Sequence, residues 1–295
     1  MPDNRLKNRV KAMIETVLLY IWKATLASLI QIGIFFVPGL VLTLIVNYAS
    51  TLLQQRALRT IGRGWYLGLF GWLGTIIHEL GHALFCLIFR HKITEMKLFD
   101  PDPETGTLGY VQHTYETSSL YQLAGNFFIG IGPILLGTAL IYFFLYLLLG
   151  LNPFKFVINN GLTGSNIYSW STLAQLLQNL WTSLTALVTG IFSRHNFSIW
   201  QLYVYIYLTF TLGSSIILSP SDFKGAFKGL SIILAAIFIF NLATVWAGDF
   251  TSKIFSGTFN YFSIFYVAML LVLLMDIVVY ILLLPFSFVS HNTGG

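Results

Sequence analysis

Apolar residues fall in long runs along this chain, and the polar residues collect between them. About 20 apolar residues make one helical bilayer crossing, and by that measure spans fall at 25–47, 65–89, 121–149, 199–218, 226–247 and 261–286. The pattern predicts an all-α polytopic membrane protein of about six transmembrane helices. In the first run apolar character begins as early as Ile14, and Pro38-Gly39 would either kink the helix or turn it back as a re-entrant hairpin. A further uncharged segment, 170–192, places Leu173, Leu177, Leu180, Leu184 and Leu187 at helical spacing, with Gln175, Gln178, Asn179 and Thr182 on the other face. That arrangement predicts an interfacial or re-entrant amphipathic helix.

Between the second and third runs the period changes. Residues 91–119 are the most hydrophilic stretch: Thr94, Met96 and Leu98 alternate, PDPETG supplies a turn, and 107–115 is rich in Thr, Tyr and Val. A small β-hairpin beside the membrane is expected there. With no repeat or long linker, the chain divides into an N-terminal segment with the first helix (1–63), a membrane-embedded core (64–286) and a polar tail (287–295). The core carries the 91–119 hairpin loop and a 151–198 loop with the amphipathic helix.

Composition sharpens this picture. Only 9% of the 295 residues are charged, against about 25% in soluble proteins. Hydrophobic residues make up 56%, and the mean hydropathy is +0.76. A soluble globular protein is excluded, and the lipid bilayer is the natural solvent. The net charge of +5 is dispersed among the spans, so no nucleic-acid partner is expected. Cys86 is the only cysteine, which rules out a disulfide framework within the chain. The basic start resembles a signal-peptide n-region, but the apolar run after it is too long and lacks a small-residue cleavage site, so it reads as a retained anchor. With that end in the cytosol, nine flanking Lys and Arg lie on the cytosolic side and six opposite, a weak positive-inside bias.

Within the second run the chain reads GTIIHELGHALFCLIF, which contains HExxH. On a helix, positions i and i+4 share a face, so His78 and His82 can offer imidazole nitrogens to one metal ion while Glu79 stands beside it. Tetrahedral zinc suits that spacing. The alternative is a polar cluster that pins helices together. A carboxylate at bilayer depth costs about 2.5–3.5 kcal/mol, more than a structural contact returns, so Glu79 reads as functional. Two histidines leave a metal under-coordinated, and Asp222 is the leading third ligand. It sits in SPSDFKG, where Pro220 breaks the apolar pattern between two spans; the competing role for Asp222, or for Ser221, is the N-cap of the following helix. Asp276 is an intramembrane carboxylate suited to ligation, proton relay or a buried contact. His113 lies in the hairpin, Asp249 and His195 read as interfacial or surface residues, and Cys86 reads as packing. Asn126 is a candidate substrate-binding residue, a donor to a carbonyl or oxyanion.

HELGH inside an apolar span, a β-like segment after it, a Gly-Pro pair in the third span and an aspartate at a later helix break together resemble the site-2 protease family of intramembrane zinc metalloproteases. The resemblance covers 64–149 and 199–230. It implies zinc held by His78, His82 and Asp222, Glu79 as catalytic base, and membrane-spanning or membrane-anchored proteins as substrates. It further implies a multi-pass protein of the cell membrane. The segment SPSDFKG departs from the family's Asn-Pro-Asp-Gly pattern, the asparagine expected soon after Gly132-Pro133 is missing, and no PDZ-like insert is present. The rival readings are a non-proteolytic scaffold or inactive relative, and a metal-ion transporter. The oligomeric state is open.

Overall fold

The computed structural model describes residues 3–104, 106–156, 170–213 and 216–287. In chain order its elements are α1 (Asp3–Phe35), α2 (Val37–Ile61), α3 (Arg63–Tyr66), a π-helical turn (Leu67–Gly71), α4 (Trp72–Ile88), β1 (Lys92–Lys97) and β2 (Tyr110–Thr114). There follow α5 (Leu120–Gly130), α6 (Gly132–Leu149), α7 (Trp170–Ile191), α8 (Trp200–Gly213), α9 (Pro220–Thr244) and α10 (Asp249–Leu283). The architecture is all-α and polytopic, with one two-stranded antiparallel sheet.

Among the described residues five helical runs are long and apolar enough to cross a membrane: Asn4–Ile61, Arg63–Ile88, Gly132–Leu149, Pro220–Ala247 and Phe262–Leu283. This agrees broadly with the expected architecture, and the first run, at 58 residues, is far longer than a single crossing needs. The run 199–218 yields α8, a helix of 14 residues, or about 21 Å at 1.5 Å per residue, short of a hydrocarbon core about 30 Å thick. The run 121–149 is two helices, meeting at Ile131 (φ −96, ψ 4) where Gly132-Pro133 opens α6. In the first run the helix resumes within one residue and does not turn back. Phe36 N–H donates to Ile32 O and Leu40 N–H to Phe36 O, both at 2.9 Å. Pro38 falls in the first turn of α2, where a missing N–H costs little.

Packing follows from small residues and buried polar pairs. Alpha-2 lies along α10, α4 against α6, α5 against α9, α6 against α8, and α1 against α9. Asn241 of α9 donates to Gln31 Oε1 (2.6 Å) and Ser28 Oγ (2.9 Å) of α1, and Ser50 of α2 donates to the Asp276 carboxylate of α10. The main apolar core joins α6, α7, α8 and α10 through Ile141, Leu145, Leu187, Leu202, Leu212 and Leu271. Leu184, Leu187 and Ile191 are buried in it, so the C-terminal half of α7 is core and not only an interfacial surface. The hairpin pairs Lys97 with Tyr110 and Lys92 with Thr114, with a bulge at Thr94. Residues 157–169 and 288–295, most of the expected polar tail, lie outside the described residues.

Candidate metal centre

The site begins with a change in helix winding. The π-helical turn Leu67–Gly71 leads into α4, and π-turns leave carbonyls poorly aligned with their own helix. Here Leu69 O accepts from Tyr207 OH of α8 at 2.5 Å. Alpha-4 then carries His78 and His82 one turn apart, with their Nε2 atoms 3.1 Å from each other.

The orientation of His82 has a cause at the junction of the next two helices, α5 and α6. In an unbroken helix Ile129 O would accept from the N–H of residue 133, but Pro133 has none. His82 Nδ1 lies 2.8 Å from that carbonyl. A carbonyl only accepts, so Nδ1 carries the proton and the Nε2 lone pair is turned to the site. Close backbone contact makes this possible. A Cβ on Gly81 would stand 2.7 Å from Pro133 Cα, and one on Gly132 would stand 2.6 Å from Gly81 O.

Asp222 arrives from α9. Ser219 is the N-cap of that helix: its Oγ accepts from Asp222 N–H at 3.3 Å, and Ser219 N–H donates to Asp222 Oδ2 at 2.7 Å. This is a capping box, so the cap is Ser219, and Asp222 is the third residue of the helix. Capping and ligation do not compete for the whole carboxylate. Oδ1 lies 3.2 Å from His82 Nε2, while Oδ2 lies 3.6 Å from His78 Nε2. Alpha-9 reaches this position because Gly130 and Gly229 let α5 and α9 touch. A Cβ on Gly130 would stand 2.6 Å from Asp222 O, and one on Gly229 2.2 Å from Phe127 N.

One ligand atom from each of His78, His82 and Asp222 lies within 4.8 Å of the others. Two imidazoles and a carboxylate, with the ring nitrogens facing inward, fit a divalent metal ion. Glu79 is buried on the same helix at 6% exposure. The hairpin closes over it: a Cβ on Gly109 would stand 3.0 Å from Glu79 Cγ and 2.7 Å from Lys97 O.

The remaining candidates are placed as follows. His113 lies outside the ligand group and pairs with His91, Nδ1 to Nδ1 at 3.0 Å, while His91 Nε2 bonds to Gln122 O at 2.9 Å. Burial pushes the His113 imidazole down to about 4, assisted by His91 and then His82. Burial also lowers that of His91, against an opposing effect of the Gln122 carbonyl. Both rings are thus held neutral, and they tie the hairpin to α5. Asn126 is buried, and its amide donates to Leu123 O (3.3 Å) and Gln122 O (3.5 Å) of its own helix. Asp276 is engaged by Ser50 and is not among the clustered ligands. His195 is exposed, Cys86 is buried and free, and Asp249 begins α10. Sequence reasoning missed Ser219 and His91. The signal for Ser219 was present, since S-P-S-D has the spacing of a capping box; His91 carried no local signal.

The chain matches no protein-family model, no curated protein and no solved structure. The class defined by fold and site is therefore an all-α polytopic protein with a three-residue group compatible with metal binding.

Proposed function

We propose that the protein is an intramembrane zinc metalloendopeptidase that cleaves membrane-spanning or membrane-anchored proteins. The observation that carries this reading is the meeting of Asp222 with both histidines of HExxH, with the motif's glutamate buried on the same helix. His78, His82 and Asp222 would hold the ion. Zinc bound there would polarise a scissile carbonyl and lower the pKa of a water. Glu79 accepts the proton of the attacking water and returns it to the leaving amine. The hairpin keeps bulk water away from Glu79 and offers a place for substrate. A helical substrate hides its peptide bonds and must unwind locally. An extended segment can add to an outer edge of the β1–β2 sheet, where neither strand has a further strand partner among the described residues. By the family resemblance, the enzyme belongs in the cell membrane.

The test joins metal content to turnover. Detergent-purified chain should hold one zinc, lost in His78→Ala and Asp222→Ala and kept in Glu79→Gln. Terminal labelling of membrane proteins from cells expressing the wild type should reveal new N-termini that are absent with Glu79→Gln. Zinc-free wild type after metal-replete purification, or undiminished cleavage by Glu79→Gln, refutes the reading.

A further inference from the structure

Alpha-8 ends at Gly213 and α9 starts at Pro220. The described residues 217–219 of the connection lie outside any helix, so their backbone N–H groups must be satisfied elsewhere in a membrane-embedded chain. One of these, Leu218 N–H, donates to Asn47 Oδ1 of α2 at 2.8 Å. Because the partner is a backbone donor, the carbonyl end of the Asn47 amide must face it. The next residue is Ser219, whose N–H and Oγ both engage Asp222. A continuous path of bonds therefore runs from Asn47 through Leu218 and Ser219 to the carboxylate beside His82.

Alpha-2 is well placed to serve as the fixed end of that path. One turn after Asn47, Ser50 bonds to Asp276 of α10. Further back, Gly39 admits the Tyr266 ring, to which a Cβ would stand at 3.1 Å. Asn47 is thus presented from a helix anchored on α10.

We infer that Asn47 is a positioning residue of the metal centre: it fixes the α8–α9 connection so that the Asp222 carboxylate meets the two histidines. The inference rests on the metal-centre reading and adds the N-terminal segment to it. The third ligand is carried by one helix and located by another.

The test uses the detergent-purified full chain. Asn47→Ala removes the acceptor, and Asn47→Asp keeps an oxygen in the same place. Zinc affinity, read by chelator competition, should fall about 10–100-fold in Asn47→Ala, the usual effect of losing an outer-shell partner, and return to within about threefold of wild type in Asn47→Asp. Amide hydrogen exchange across 216–222 in the metal-free protein should quicken in Asn47→Ala and be slowed again in Asn47→Asp. The milder Asn47→Ser gives the same comparison should Asn47→Ala fail to purify. Unchanged exchange, unchanged affinity in a chain that binds zinc, or no restoration by Asn47→Asp overturns the inference. If the wild type binds no zinc, the metal reading falls on that result alone. The exchange arm then decides separately whether Asn47 orders the connection.

Discussion

Gly81 sits between the two histidines of α4 at its closest approach to the start of α6, so Gly81→Ala tests how the ligands are held. Its new Cβ would stand 2.7 Å from both Pro133 Cα and N and 2.8 Å from Gly132 C, where ordinary contact begins at 3.4 Å. These are backbone atoms that cannot rotate away, so the helices must part by about 0.7 Å, the scale at which overpacked cores respond. The same movement would lengthen the 2.8 Å contact between His82 Nδ1 and Ile129 O to about 3.5 Å, the end of hydrogen-bond range. Overpacking of this kind costs about 1–3 kcal/mol, offset by about 1 kcal/mol of improved helix propensity. Stability should therefore change modestly while zinc affinity falls about 10–100-fold, as expected when a metal-bound histidine loses its second partner. The control is Gly225→Ala on α9, where a Cβ meets nothing within 4 Å; it should leave affinity unchanged and stabilise by up to about 1 kcal/mol. Chelator competition and detergent unfolding curves on both variants give the answer. If Gly81→Ala bound zinc like the wild type, close contact between α4 and α6 would not be what aims the ligands.

Two further outcomes are expected. His113 has an imidazole lowered to about 4 from 6.5, so the folded state favours its neutral form. The resulting stability is complete above about pH 6.5 and is lost as pH falls towards 4. Amide exchange in β1 and β2, corrected for its intrinsic pH dependence, should show that loss in the wild type and not in His113→Gln; identical profiles would refute it. Arg90 has φ 59, a left-handed conformation that costs an L-residue about 1–2 kcal/mol and a glycine little. Arg90→Gly should accordingly stabilise by up to about 1 kcal/mol in unfolding assays, and a destabilised variant would show that the Arg90 side chain matters more than its backbone.

Much of this organisation was legible in the residues because it depends on short spacings. HExxH places two imidazoles on one helix face whatever surrounds them, and the long apolar runs announce membrane helices by length alone. The hairpin was visible as a change of period at 91–119. What escaped depends on contacts between distant segments. In 199–218 the apolar run continues through Ile216 to Leu218, which hides the end of a 14-residue helix at Gly213; the only local stop signal there is Gly213 itself followed by two serines. The role of Asp222 read as a choice between cap and ligand because a sequence does not resolve two oxygens of one carboxylate; in the structure Oδ1 faces His82, while Oδ2 accepts from Ser219 N–H and also lies near His78. Asn126 looked available as a donor, and only the folded helix reveals that its amide turns back onto Leu123 and Gln122.

The carbonyl that anchors His82 has a chemical consequence of its own. Metal-bound imidazoles are commonly steadied by either a carboxylate or a backbone carbonyl. A carboxylate donates electron density strongly and is itself lost to acid. Ile129 O is neutral and does not titrate, so it keeps the ring's orientation constant across pH and makes the imidazole a less generous donor. An ion held by such a ligand retains more of its own charge for the group it must polarise. By withholding a single backbone hydrogen from α6, Pro133 would tune the electron demand of an ion held there without itself being a ligand.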